Sequence, residues 1–241
     1  MIQDIEPQRF NNQYSNRREP EDHDMVLSFS EKMIFAKVMD DENLLGFMTY
    51  GELQKITGCD RKIGDLVYLF SIDDTAYFMW NGDNRLAAPG YEYRSMYKTR
   101  ACYPKTAVLA AATGWHLSLW YRTNRFCGAC GERTVHDEKE RMLRCPSCGR
   151  LIFPVIAPAV IVGVIDGDRI ILTTYAGREY KRYALIAGFT EIGESAEQTV
   201  RQELATGEWV NREDIPDYPE HLSLTHEMMV YFKEHGQGVF K

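Results

Sequence analysis

Two cysteine pairs limit what this chain can fold into more than any other feature. Cys127-Gly128-Ala129-Cys130 and Cys145-Pro146-Ser147-Cys148 are separated by fourteen residues, and a glycine follows each pair (Gly131, Gly149). A CxxC turn sets two sulfurs on one side of a loop, and the glycine after it lets the backbone fold back. Two such knuckles on facing hairpins enclose one ion with four thiolates, the tetrahedral set that zinc prefers. With all four positions filled by sulfur no place remains for a reactive water, so the role predicted for Cys127, Cys130, Cys145 and Cys148 is structural. A redox-active CxxC accounts for one pair but not for two at this spacing. Between the pairs, Arg133, Lys139, Arg141 and Arg144 are balanced by Glu132, Asp137, Glu138 and Glu140. That neutrality favours a connector between domains over a nucleic-acid contact.

Cys59 and Cys102 stand alone, without a histidine or carboxylate at a suggestive spacing, and read as small buried hydrophobes. The 241 residues, 44% hydrophobic and 26% charged, are those of a globular chain with one large or two ordinary domains. A net charge of −7, from 28 basic and 35 acidic residues, argues against non-specific nucleic-acid binding, which depends on neutralising phosphates. It leaves a small anionic substrate accessible, because a bound metal ion supplies local positive charge. The apolar run near Ile156–Ile165 is too short to cross a bilayer. Met1–Glu6 lacks a basic stretch leading into an apolar core. The expectation is a cytoplasmic protein without a membrane partner.

Three regions follow: 1–122, a ribbon over 123–153, and 154–241. In the first, Met25–Phe29 and Ala76–Trp80 read as strands, the second bounded by Asp73-Asp74 and by Asn81-Gly82-Asp83. Apolar residues at Val108, Leu109, Ala112, Trp115, His116 and Leu119 predict a helix over Thr106–Trp120, with His116 packed in the core. No constellation in this region reads as catalytic, so a scaffold or dimerisation role is expected. In the third, Ala159–Ile165 and Arg169–Thr174 predict a hairpin turning at Asp166-Gly167-Asp168. No internal repeat is present.

After the hairpin comes Ala184-Leu185-Ile186-Ala187-Gly188-Phe189-Thr190-Glu191-Ile192-Gly193-Glu194-Ser195: a short strand, a glycine-rich loop and a helix start. Ser195 with Gln198 forms a capping box, so the helix begins near Ala196. A loop running into a helix N-terminus favours phosphate oxygens, and carboxylates on the helix would hold a divalent cation that bridges a diphosphate.

This stretch resembles the box of the Nudix hydrolases, G-x5-E-x7-R-E-U-x-E-E-x-G-U with U aliphatic. Gly188, Glu194, Glu203 and Leu204 fit its first glycine, first glutamate, first metal-ligating glutamate and aliphatic position. The Ala-Gly-Phe-x-Glu-x-Gly-Glu wording, the Phe126-Cys127-Gly128-x-Cys130-Gly131 opening and Pro154-x-Ile156-Ala157-Pro158 are similar to the zinc-ribbon NADH pyrophosphatases within that superfamily. The resemblance runs over nearly the whole chain and is most specific from Phe126 to Glu203. It implies an α+β chain with an N-terminal mixed α/β domain, a zinc ribbon and a Nudix α/β/α sandwich. It implies hydrolysis of NADH or NAD to nicotinamide mononucleotide and AMP with Mg²⁺ or Mn²⁺, a homodimer, and in some members removal of a NAD cap from RNA. Carried onto this sequence, Glu203 is the Mg²⁺ or Mn²⁺ ligand and, with Glu194, catalytic. Gly188, Phe189, Glu191 and Gly193 line the nucleotide.

The sequence also departs from the pattern. Gln202 stands where the box has its arginine, Thr206 and Gly207 where it has two consecutive glutamates, and Trp209 where it has its closing glycine. Residues 203, 206 and 207 would share one helix face, and only one carboxylate remains there, a poor cage for a hard divalent ion. Glu208–Pro216 resembles the family's late segment, its Ser-Gln-Pro-Trp motif is absent, and the 88 residues from Pro154 to Lys241 are short for a complete Nudix domain. These features predict an internal deletion near Glu203-Leu204, leaving exposed apolar faces and unpaired strand edges. Two functions follow: a hydrolase with impaired activity, or a catalytically inactive remnant that binds or dimerises. A zinc-ribbon nucleic-acid binder is the weaker third reading, because no basic stripe is visible in the sequence.

Overall fold

A computed structural model describes residues 2–57, 65–82, 84–174, 182–203, 207–217 and 223–240. Cys59, Leu204 and Thr206 lie outside the described residues. The fold is α+β and divides into two compact units, 1–155 and 156–241.

In the N-terminal unit the elements before the ribbon run β1 (Phe10–Asn11), β2 (Met25–Leu27), β3 (Phe29–Ser30), β4 (Met33–Lys37), β5 (Met48–Thr49), α1 (Tyr50–Thr57), β6 (Leu66–Ile72), β7 (Thr75–Trp80), β8 (Tyr91–Ser95), α2 (Met96–Thr99) and α3 (Lys105–Thr123). Five strands form a sheet in the order β1-β6-β7-β2-β5, in which β2 and β7 are parallel and the other pairs antiparallel; β3, β4 and β8 form a second sheet. The predicted strand Met25–Phe29 is divided at Ser28, where the chain passes from one sheet to the other. The Ser28 carbonyl accepts from Phe35 N–H and its hydroxyl meets Tyr93 Oη at 3.0 Å. Apolar alternation continues through such a switch, so pattern alone does not reveal it.

Strand periodicity sorts the side chains. Tyr77 and Met79 join Leu27, Ile34 and Leu69 in the main core, while Ala76 and Phe78 pack with Tyr68 on the other face. The α3 helix covers the main core with a stripe of Ala107, Ala110, Ala111, Leu117 and Tyr121, which recur at three- and four-residue spacing. Gly114 lies on the same stripe, where a Cβ would stand 2.6 Å from Leu27 Cδ1; small residues let the helix sit this low on the sheet. His116, expected in the core, is exposed instead, with its ring edge against Trp115. At 100° per residue it falls opposite the buried stripe, and Leu119 is exposed with it. Cys102 is half-buried rather than buried, its Sγ 3.6 Å from the Lys98 carbonyl, and burial raises its pKa.

Asp24 is fully buried and fully satisfied. It takes a bidentate bond from Arg18 (2.6 and 2.8 Å) and accepts from the N–H groups of Glu21 (2.7 Å) and Ala76 (2.8 Å). Thr49 and Glu52 close a reciprocal capping box on α1 (Thr49 N–H to Glu52 Oε2, 2.8 Å; Glu52 N–H to Thr49 Oγ1, 3.2 Å), and Lys37 reaches the same carboxylate at 3.0 Å. Desolvation opposes ionisation of Glu52, but the Thr49 N–H and the Lys37 ammonium outweigh it and hold the pKa at about 2.

The ribbon consists of β9 (Val135–His136), β10 (Leu143–Arg144) and β11 (Leu151–Ile152), all antiparallel. It is built into the N-terminal unit rather than strung out as a connector. Leu143 is 2% exposed within the main core. The Arg141 guanidinium lies over the Tyr14 ring, donates to Asn12 Oδ1 (3.2 Å) and meets the Leu69 carbonyl.

The C-terminal unit holds β12 (Ala159–Val162), β13 (Ile165–Asp166), β14 (Arg169–Thr174), β15 (Tyr183–Ala184), β16 (Ile186–Phe189), α4 (Ala196–Glu203), β17 (Glu208–Asn211) and α5 (Leu224–His235). The predicted hairpin is present at Asp166↔Arg169, but the strand before it is split at Gly163-Val164. Its first half pairs with β16 and its second with β14. The β14 strand also pairs with β15 and β17. Among the described residues, seven buried side chains form the core, including Ile170, Leu172, Val210 and Ile215 from the sheet side and Met229 and Phe232 from α5. Phe189 (71% exposed) and Ile192 (104%) stand in solvent.

Candidate functional site

The four cysteine sulfurs lie within 4.8 Å of one another, the first knuckle's meeting the second's at 3.6 Å (Cys127 to Cys148) and 3.4 Å (Cys130 to Cys145). A zinc ion with bonds of about 2.3 Å needs tetrahedral sulfur edges of about 3.8 Å, so the thiols already stand near the spacing the ion would impose. Gly131 and Gly149 have φ of 78° and 75°, the left-handed conformation in which a glycine folds each knuckle back. The turn also aims Ala129 N–H at Cys127 Sγ (3.4 Å) and Cys148 N–H at Cys145 Sγ (3.5 Å). Such donors favour the thiolate. The N–H groups of Ala129 and Cys130 bring the Cys127 pKa down to about 6. Cys127 and Cys145 are buried and Cys130 and Cys148 exposed, and the four together fit a structural zinc ion.

The second candidate is the loop from β16 into α4. Its capping box is as predicted: Ser195 N–H donates to Gln198 Oε1 (2.8 Å) and Gln198 N–H to Ser195 Oγ (3.3 Å). Three donors occupy Glu194, namely Glu191 N–H (3.0 Å), Thr199 Oγ1 (3.1 Å) and the Gln202 side-chain amide. The backbone donor first, then the hydroxyl and amide, hold its pKa below the usual carboxylate range. Gln202 thus occupies the arginine position of the box and also reaches a glutamate of the box, through a neutral donor. Thr199, 1% exposed, was not singled out from the sequence; its signal is a threonine on the inner face of an otherwise polar helix.

Glu203 is half-buried and lies across Gly188, where a Cβ would stand 2.2 Å from Glu203 Oε1. The glycine is what admits the carboxylate there. Within the described residues α4 reaches Glu203, and Gly207 is not helical, so the shared face expected for 203, 206 and 207 does not include Gly207. Glu191 is exposed, as is Phe189, and Gly193 takes φ 93° in the turn. Among the described residues, the four cysteines are the one group of three or more His, Cys, Asp or Glu side chains whose ligand atoms converge. The loop carboxylates form no such group, and a magnesium-class ion needs about six oxygen ligands in near-octahedral array.

A family described as the NADH pyrophosphatase zinc ribbon domain matches residues 122–153. The ribbon is similar to that of the NADH pyrophosphatases. Over 136 residues the chain is 33% identical to the NAD-capped RNA hydrolase NudC of Pectobacterium carotovorum, covering 54% of this chain and 51% of that protein. It is 41% identical over 88 residues to NudC of Pseudomonas aeruginosa (36% and 32%) and 39% over 93 residues to NudC of Pasteurella multocida (38% and 35%). The chain thus spans about half the length of these relatives or less. The resemblance to Nudix NADH pyrophosphatases is borne out, and the partial coverage fits a shortened Nudix domain. Among the described residues no helix is long and apolar enough to cross a membrane.

Proposed function

We propose that the chain is a Nudix-type hydrolase of the pyrophosphate bond of NADH or NAD, yielding nicotinamide mononucleotide and AMP, whose activity is impaired by the loss of metal-ligating glutamates. The similarity to NAD-capped RNA hydrolases supports the reaction class. The observation that carries the impairment is the state of the loop carboxylates. Glu194 is engaged by three donors from its own loop and helix, and among the described residues Glu203 rests on Gly188 without a third carboxylate converging on it. In this reading Glu203 and Glu194 are the residual acidic groups facing the diphosphate, Gly188, Phe189, Glu191 and Gly193 border the nucleotide, and Glu203 is the single protein ligand left for Mg²⁺ or Mn²⁺. A NAD-capped RNA is a further substrate of the same chemistry, and a homodimer the expected assembly.

The loss is large in energetic terms. A bound cation supplies several kcal/mol of charge stabilisation in such a reaction, and each 1.36 kcal/mol is tenfold in rate, so impairment of roughly 10³-fold or more is expected. Incubation of the protein with NADH and Mg²⁺ or Mn²⁺, with AMP as the readout, tests it. The account expects little product above a Glu203→Gln control. Brisk release of AMP that Glu203→Gln abolishes contradicts the impairment.

A further inference from the structure

A cleft of about 980 Å³ opens within the N-terminal unit, at the upper end of the roughly 300–1,000 Å³ typical of ligand pockets. Its lining has a charge opposite to the chain's. Among the described residues, Arg17, Arg18, Arg85, Arg122, Arg125 and Arg133 border it against a single carboxylate, Glu19, in a protein of net charge −7. These arginines come from four separate places: the segment after Tyr14–Asn16, the loop after β7, the end of α3 and the ribbon. Nothing in the sequence groups them; the fold does.

Arg18 is accounted for by its bidentate bond to Asp24. Among the described residues the other five have no carboxylate within ion-pair distance. Arg17 and Arg85 lie over the Tyr14 and Tyr93 rings, 5.3 and 4.2 Å from the centroids, which orients them without neutralising them. Arg122 and Arg125 complement the C-terminal dipole of α3, but that explains neither Arg85 nor Arg133. Gathering five uncompensated cations around one cavity is repulsive, and a bound anion offsets it. Part of the remaining lining is aromatic: Tyr68, Phe78, Trp80 and Tyr121 border the cleft and are each less than 9% exposed, among polar and aliphatic residues such as Asn81, Ser118 and Leu143. Flat rings beside guanidinium groups suit a ligand that carries both a planar ring and a phosphate.

We propose that this cleft binds a free nucleotide, its phosphate held by Arg85, Arg122, Arg125 and Arg133 and its base against the aromatic wall. The site lies in the N-terminal unit and does not rest on the hydrolase reading. The test titrates AMP, adenosine and inorganic phosphate into the zinc-loaded full chain by calorimetry. It compares the wild type with Arg122→Gln/Arg125→Gln, with Arg85→Gln and with Glu203→Gln. All three substituted arginines are exposed, and an unchanged thermal melt of the unliganded variants verifies that they fold. Saturable AMP binding is expected, weaker by about tenfold or more for adenosine and for each arginine variant, since a charge-assisted bond contributes on that scale. Glu203→Gln is expected to bind as the wild type does. AMP binding that survives both arginine variants, or that is lost in Glu203→Gln, overturns the proposal, as does the absence of saturable binding. A single-stranded oligonucleotide that binds more tightly than AMP with a steep salt dependence overturns it as well, and assigns the arginines to a nucleic-acid surface.

Discussion

The two units of this chain keep the same kinds of local signal and differ in what those signals are built into. Each starts a helix with a reciprocal capping box, Thr49 with Glu52 in one and Ser195 with Gln198 in the other. In the N-terminal unit the capped helix belongs to a structure whose main core has, among the described residues, twenty buried members and includes Leu143 from the ribbon. Among the described residues of the C-terminal unit the core has seven, and Phe189 and Ile192 remain in solvent. A capping box or a glycine loop is satisfied by a few neighbours in sequence. A core and a metal cage need groups brought from distant parts of the chain. A local motif thus forms whether or not a large core stands beside it.

Removal of zinc is the largest perturbation expected, and it separates the two regions. Structural zinc in small peptide domains contributes about 10–16 kcal/mol of apparent binding free energy at neutral pH. Chelation, or Cys145→Ser, should melt the ribbon and loosen the N-terminal core through Leu143, while amide protection of β14 and β17 stays as it was. Equal loss of protection in both units would break the distinction. Next in size is Asp24→Ala, which leaves Arg18 and two backbone N–H groups without their acceptor; breaking a buried pair costs about 3–5 kcal/mol. Urea unfolding followed in the N-terminal unit should register that loss, and a change below about 1 kcal/mol would mean that Asp24 is not the hub it looks to be.

The Ser195→Ala substitution removes one N-cap acceptor and should lower the stability of the C-terminal unit by about 1 kcal/mol, with the N-terminal unit unchanged. Glu52 contributes an effect confined to acid pH. Its folded pKa of about 2 is depressed from the usual 4.5, so its contribution is fully present above about pH 4.5 and is lost as the pH falls toward 2. Melting temperatures recorded down that range for wild type and Glu52→Gln should converge at the acid end; curves that stay parallel would remove the carboxylate from the account.

Legibility followed the same division between local and assembled features. The four cysteines, the Ser195 cap and the turn at Gly167-Asp168 depend on residues a few positions apart or on a metal's fixed demands, and they were readable. The Thr49–Glu52 box carries the same signature and was overlooked. Ser28 and Gly163, where strands change sheets, were not readable, because apolar alternation is indifferent to which sheet a residue joins. His116 counted as apolar in the periodic pattern, yet it falls opposite the stripe that Ala107, Ala110, Ala111 and Gly114 define. The engagement of Glu194 by Thr199 and Gln202 required the helix geometry. The arginine cleft was beyond reach of sequence, since its members span 17 to 133.

Among the described residues, the loop from Gly188 to Glu203 brings together no group of three carboxylates, and the proposed function takes that as too few to hold a divalent cation. Calorimetric titration of Mn²⁺ into the zinc-loaded protein, alongside Glu194→Gln and Glu203→Gln, tests it most directly. The account predicts only weak, non-saturating heats that the substitutions leave unchanged. A stoichiometric Mn²⁺ site abolished by either substitution would contradict it.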